Sequence, residues 1–157
     1  MDLTINVEDY KLNVRAAGII IHNNKVLVHK SMKGGHYALL GGRVEIGEDS
    51  ENTVKREIKE ELDKDVEITG YISTIENFFE AKGEKYHEIM FVHKAEFIND
   101  EDKKIEDTLY NKEGKDHIVY EWLELDKLQE YPLLPKIMKN ILLENVFPVH
   151  KINNDLK

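Results

Sequence analysis

Residues 14–21, VRAAGIII, form a nearly unbroken apolar run, the pattern of a strand buried on both faces. Asn23-Asn24 supplies turn chemistry, and residues 25–29 follow with Val26, Leu27 and Val28, so the two runs predict a hairpin. Lys33-Gly34-Gly35 marks a loop before a short apolar segment at 37–40. The period then changes. Val54, Ile58 and Leu62 recur at i, i+4 and i+8, the stripe of a helix that buries one side, with Asp49 or Ser50 placed to cap its start. Residues 66–79 and 86–98 predict two long strands joined across Ala81-Lys82-Gly83-Glu84. In the second, His87, Ile89, Phe91, His93, Ala95 and Phe97 share one face by alternation. Residues 117–123 predict a further strand and 125–129 a short helical turn. Pro135 suits the first turn of a terminal helix carrying Ile137, Met138, Ile141 and Leu142.

Strands, helix, strands, helix, with hairpins inside the strand runs, predict an α+β fold: a mixed β-sheet between helices, an α/β/α sandwich. A chain of 157 residues is long enough for one domain with its own core. That domain is expected over 1–152, with 153–157 a flexible tail. Acidic residues outnumber basic ones by 31 to 22, and the net charge of −9 argues against a DNA-binding surface. It leaves room for a polyphosphate ligand, because a bound divalent cation reverses the local field. The absence of cysteine excludes disulfides, thiolate zinc sites and a cysteine nucleophile. No run approaches the roughly 20 apolar residues of a membrane span, and the first residues lack signal-peptide character. A cytoplasmic protein without membrane association is the expectation.

The densest chemistry lies in GRVEIGEDSENTVKREIKEE, residues 42–61. With Glu57 as origin on a helical wheel, Glu61 falls at about 40° and Glu60 at about 300°, so the three share a face beside the apolar stripe. Such a face is commonly no more than a solvated surface. Uncompensated carboxylates one turn apart repel; Arg56 offsets part of this through Glu60, and a divalent cation would offset more. Gly41-Gly42 leaves bare backbone upstream, and Glu48 stands near the helix start.

Gly42, five residues, Glu48, seven residues, then Arg56-Glu57-Ile58-Lys59-Glu60-Glu61 resembles the signature of the Nudix hydrolases, MutT-like. Asp63 and Lys64 depart from that pattern, which has a glycine and an aliphatic residue there, and Leu40 stands where many relatives have proline. The resemblance implies a pyrophosphohydrolase that uses Mg²⁺ or Mn²⁺. Glu57 and Glu61 would be the principal ligands, with Glu60 and the Gly41 carbonyl additional. Arg56 would orient the glutamates, and Glu48 would hold a metal-bound water or pair with Arg56. The base would be Glu57, Glu60, or one of the later carboxylates Glu106, Asp107, Glu113 and Asp116.

The implied substrate is a small nucleotide with a diphosphate linkage: a nucleoside triphosphate, nucleotide sugar, ADP-ribose or dinucleoside polyphosphate. An RNA 5′-end pyrophosphohydrolase and a non-catalytic nucleotide-sensing domain are the alternatives. Relatives are often dimers, so a homodimer is also open. Arg15 is expected to contact phosphate or base and Arg43 phosphate, each against a surface role. Tyr37, Phe79, Tyr86 and Tyr110 are candidates for stacking on a base, each against simple core packing. Trp122 is expected in the core. The adjacent His87 and Glu88 point to opposite faces of their strand and make a poor metal pair. The charge run at 100–104 reads as a solvated loop.

Overall fold

The computed structural model describes residues 1–104 and 106–156. Its strands are β1 (Thr4–Val7), β2 (Tyr10–Ile19), β3 (Ile21–His22), β4 (Lys25–Ser31), β5 (Tyr37–Arg43), β6 (Val66–Ala81), β7 (Glu84–Phe97), β8 (Leu109–Tyr110), β9 (Ile118–Glu124), β10 (Leu133–Leu134) and β11 (Val149–Asn154). The helices are α1 (Ser50–Leu62) and α2 (Ile137–Glu144), with 3-10 turns at Asp102–Lys104 and Leu125–Glu130. Sheet order is β11-β6-β7-β2-β5-β4-β9-β8. The pairs β2–β7, β6–β11 and β5–β10 are parallel and the others antiparallel, the mixed sheet expected.

Alternation splits the apolar runs between two layers. Ala17, Val26, Val28, Leu39, Met90 and Val92 pack under Met138, Ile141 and Leu142 of α2. Ala16, Leu27, Leu40, Ala95 and Phe97 pack under Val54, Ile58 and Leu62 of α1. Each fully buried Val, Leu, Ile, Phe or Met side chain among them contributes roughly 1.5–3 kcal/mol. Gly18 lets α1 lie close on β2: a Cβ there would come within 2.8 Å of Val54 Cγ1. No helix among the described residues is long and apolar enough to cross a membrane.

Two expectations need correction. The run at 14–21 does not pair with 25–29 as one hairpin. The chain steps at Ile20, only Ile21–His22 pairs with β4, and β5 is inserted between β2 and β4. Nor do Asn153 and Asn154 lie in a flexible tail. They end β11, which runs parallel to β6, and Asn153 is 8% exposed with its amide donating to Asn77 Oδ1 at 2.9 Å.

Both ends of α1 are determined locally. Asp49 accepts from the Asn52 amide at 2.8 Å, and Asp63 takes the left-handed conformation, φ 55° and ψ 38°, that closes the helix in place of a glycine. Lys64, at the other departing position, pairs with Asp102 at 2.6 Å.

Candidate active site

The site begins where β5 meets β2. Gly41 has φ 146°, and a Cβ there would strike the Ala16 carbonyl of the paired strand. A Cβ on Gly42 would overlap the Glu57 carboxylate. These two positions therefore require glycine, for strand approach and for carboxylate approach respectively.

Arg56 organises the acidic side chains around it. Its Nε and Nη2 donate to the two oxygens of Glu48 at 2.7 and 2.9 Å, Nη1 donates to Glu57 at 3.0 Å, and Nη2 also donates to the Arg43 carbonyl at 3.1 Å. Glu48 accepts further from Thr53 Oγ1 at 2.7 Å and from the Glu45 amide at 3.3 Å. The Arg56 hydrogen bonds bring the Glu48 carboxyl down to about 2, and the same contacts raise the guanidinium further above its ordinary range. Of the two roles expected for Glu48, the structure contains the pairing with Arg56.

Glu57 and Glu61 occupy the opposite situation. Burial raises the Glu57 carboxyl, with Arg56 opposing the shift. Glu61 is 9% exposed, and burial followed by the Glu57 charge pushes it up to about 8. Its near partner is the Tyr120 hydroxyl, which donates at 3.3 Å while accepting from Asn111 Nδ2 at 3.0 Å. Asn111 Oδ1 in turn accepts from the amides of Glu113 and Lys115 at 2.8 and 3.2 Å, shaping that loop. A cleft of about 320 Å³ opens beside the pair, lined also by Gly41, Gly42, Arg43, Arg15 and Lys115. His29 borders it, bonded to the Leu39 carbonyl at 3.1 Å; burial lowers its ring to about 4 and keeps it neutral.

Glu61, whose partner is a neutral hydroxyl, and Glu57, which Arg56 holds through one hydrogen bond, stand beside bare backbone and fit a divalent cation. Among the described residues no group of three or more His, Asp or Glu side chains is placed to hold a metal ion. The fit is therefore a partial cage of Glu57, Glu61 and backbone oxygen, which suits an ion that keeps water and accepts phosphate oxygens. Glu60 stands outside the cleft lining: it is 43% exposed and bonds Arg56 at 3.4 Å.

Arg15 lines the cleft, with a solvent-shielded Nε that has no partner among the described residues. Tyr37 does not. Its hydroxyl donates to Glu121 at 2.9 Å and its ring meets Tyr131 edge-on at 5.9 Å, so it serves packing. Phe79 stacks on Tyr86 at 4.8 Å and lines a second cavity, which shares Arg15 with the first. Tyr110 is 61% exposed and outside both linings. Glu106 is engaged with Asn23, Lys25 and His22, whereas the charge of Glu113 acts on both Glu57 and Glu61. Sequence reasoning missed His29, Asn111, Lys115 and Tyr120. They come from separate elements with no shared spacing, although alternation along residues 118–122 groups Tyr120 with Ile118 and Trp122 on one face.

The NUDIX domain profile matches residues 12–144, most of the chain. The chain belongs to the NUDIX domain family. Solved structures share the Nudix fold. A MutT NUDIX hydrolase from Burkholderia pseudomallei is 25% identical, with 87% of this chain and 98% of that one covered and a TM-score of 0.61. A NUDIX hydrolase from Nitrosomonas europaea is 17% identical, covering 91% and 79%, with a TM-score of 0.65. An ADP-ribose pyrophosphatase from Streptococcus suis is 15% identical, covering 89% and 98%, with a TM-score of 0.61. No curated protein shows significant similarity to the chain. Family and fold agree with the Nudix pyrophosphohydrolase class read from the sequence.

Proposed function

We propose that this Nudix protein is a Mg²⁺- or Mn²⁺-dependent hydrolase that cleaves a diphosphate linkage in a nucleoside diphosphate derivative. The observation that carries the reading is the Glu57–Glu61 pair, held at Gly41-Gly42 by Arg56 on one side and Tyr120 on the other. Glu57, Glu61 and the Gly41 carbonyl would hold the cation. When bound, it neutralises charge on the phosphate oxygens and makes water more acidic.

The chain's own residues do the rest. Arg56 fixes the Glu57 carboxylate through one hydrogen bond while its fork is locked onto Glu48. Arg15, Arg43 and Lys115 give the cleft cationic walls for phosphate oxygens. Glu57, which lines the cleft, and Glu113, the loop carboxylate whose charge acts on both glutamates, are the candidates to accept the proton of the attacking water. The ADP-ribose pyrophosphatase and MutT names among the similar structures fit a small nucleotide substrate.

The test is incubation with nucleoside triphosphates, nucleotide sugars, ADP-ribose and dinucleoside polyphosphates, with Mg²⁺, Mn²⁺ or chelator, followed by chromatography. Cation-dependent release of a nucleoside monophosphate is expected. Binding without turnover across the whole panel would overturn the reading.

A further inference from the structure

The second cavity, about 400 Å³, lies between the sheet and the start of α2 and touches the cleft through Arg15. Its walls are largely apolar: Leu39, Met90, Phe79 and Pro135. At its floor is Glu88 on β7, 2% exposed. A buried carboxylate in an apolar chamber is costly unless donors face it. Here the donors are neutral. Asn13 Nδ2 donates to Oε2 at 2.7 Å and Asn77 Nδ2 to Oε1 at 3.3 Å. Among the described residues no Lys or Arg forms an ion pair with it. The network is anchored outward, with Thr4 donating to Asn13 Oδ1 at 2.7 Å and Asn153 to Asn77 Oδ1 at 2.9 Å. Four side chains on four other strands thus hold one carboxylate still, two directly and two through them, and its two oxygens have capacity for about four hydrogen bonds in all, of which two are made.

A largely apolar chamber floored by a fixed acceptor pair and sharing Arg15 with the cleft suits a base site. Among base edges, the match for two acceptor oxygens is an edge with two adjacent N–H donors. Guanine presents N1–H beside its 2-amino group. Adenine sets a lone pair beside its amino group, uracil flanks its N–H with carbonyls, and hypoxanthine has the N1–H alone. We propose that Glu88 selects substrates of the guanine type by accepting both donors, with Arg15 at the passage between base and phosphates. This deepens the hydrolase reading above and rests on it for the placement of the phosphates.

Calorimetry with GMP, IMP, AMP and dGMP, without added metal, separates the two readings because it requires no turnover. GMP is expected to bind on the order of 10–100-fold tighter than IMP, which lacks one donor to a charged acceptor, and tighter still than AMP. dGMP should match GMP; a loss confined to dGMP would mean that the carboxylate reads ribose hydroxyls and would overturn the proposal. Equal binding of GMP and IMP would overturn it as well. Glu88→Gln replaces one acceptor by a donor and should erase the GMP-over-IMP preference, with a thermal melt confirming the fold. If that variant does not fold, the comparison on the unaltered protein decides alone. Hydrolysis without base preference defeats the base assignment and leaves the hydrolase reading; selective GMP binding without turnover does the opposite.

Discussion

Replacing Glu61 by glutamine should make the metal-free protein more stable at alkaline pH while removing its activity. The folded carboxyl titrates at about 8 against 4.5 for an ordinary one. Because the folded value is raised, its contribution to stability is complete below about pH 4.5 and is lost as pH climbs to 8. A shift from 4.5 to about 8 spans 3.5 pH units, and at 1.36 kcal/mol per unit the full loss is about 5 kcal/mol. Water entering the open cleft relieves part of it, so roughly 2–5 kcal/mol is the working range. For a chain of this size that corresponds to about 5–15 °C in Tm.

The assay is thermal melting of protein and Glu61→Gln in chelator from pH 5 to 8.5. The difference between them, not either curve alone, isolates this carboxyl, since burial also lowers the His29 and His93 rings and gives the folded protein other pH-dependent contributions. Saturating Mg²⁺ should flatten the slope of the parent and leave the variant unmoved. Turnover by the variant should fall by about two orders of magnitude or more. A variant that melts below the parent at pH 8 without metal would refute the burial argument, because a neutral amide would then fit the site less well than the carboxyl it replaces.

Glu48 gives the opposite sign. Its folded carboxyl sits at about 2, so its contribution is present above pH 4.5 and disappears as pH falls toward 2; Glu48→Gln should remove about 3 kcal/mol at neutral pH and make acid unfolding shallower, read by urea denaturation against pH. Gly42→Ala places a methyl on the Glu57 carboxylate; activity should drop by about 100-fold or more with little change in circular dichroism. Tyr120→Phe removes the hydroxyl donated to Glu61 and accepted from Asn111. It should weaken Mn²⁺ binding, measured by electron paramagnetic resonance, by about tenfold and leave the fold intact. Unchanged Mn²⁺ affinity would mean that Tyr120 is packing alone.

Local chemistry made α1 readable. The i, i+4, i+8 stripe, the Asp49 cap and the placement of Glu57 and Glu61 on one face depend on residues a few positions apart. Arg56 was readable as the counter-charge for the same reason, although its bidentate hold on Glu48 rests on a loop that spacing cannot fold. What failed depends on pairing across the chain. β11 was invisible because VHKINN has the composition of a tail and becomes a strand only beside β6. Tyr37 was open between stacking on a base and core packing, and the contact that decides for packing comes from Glu121, 84 residues away, which holds its hydroxyl. Glu88 was weighed only as a neighbour of His87. Its burial is stabilised by Asn13, 75 positions earlier, and no one-dimensional pattern carries that contact.

Arg15 lines both cavities, and under the base assignment proposed above that makes the site a gauge of molecular length. An inorganic diphosphate would engage the first chamber alone. A nucleotide would engage both, and every group it anchored beyond the guanidinium would help hold the scissile bond in line.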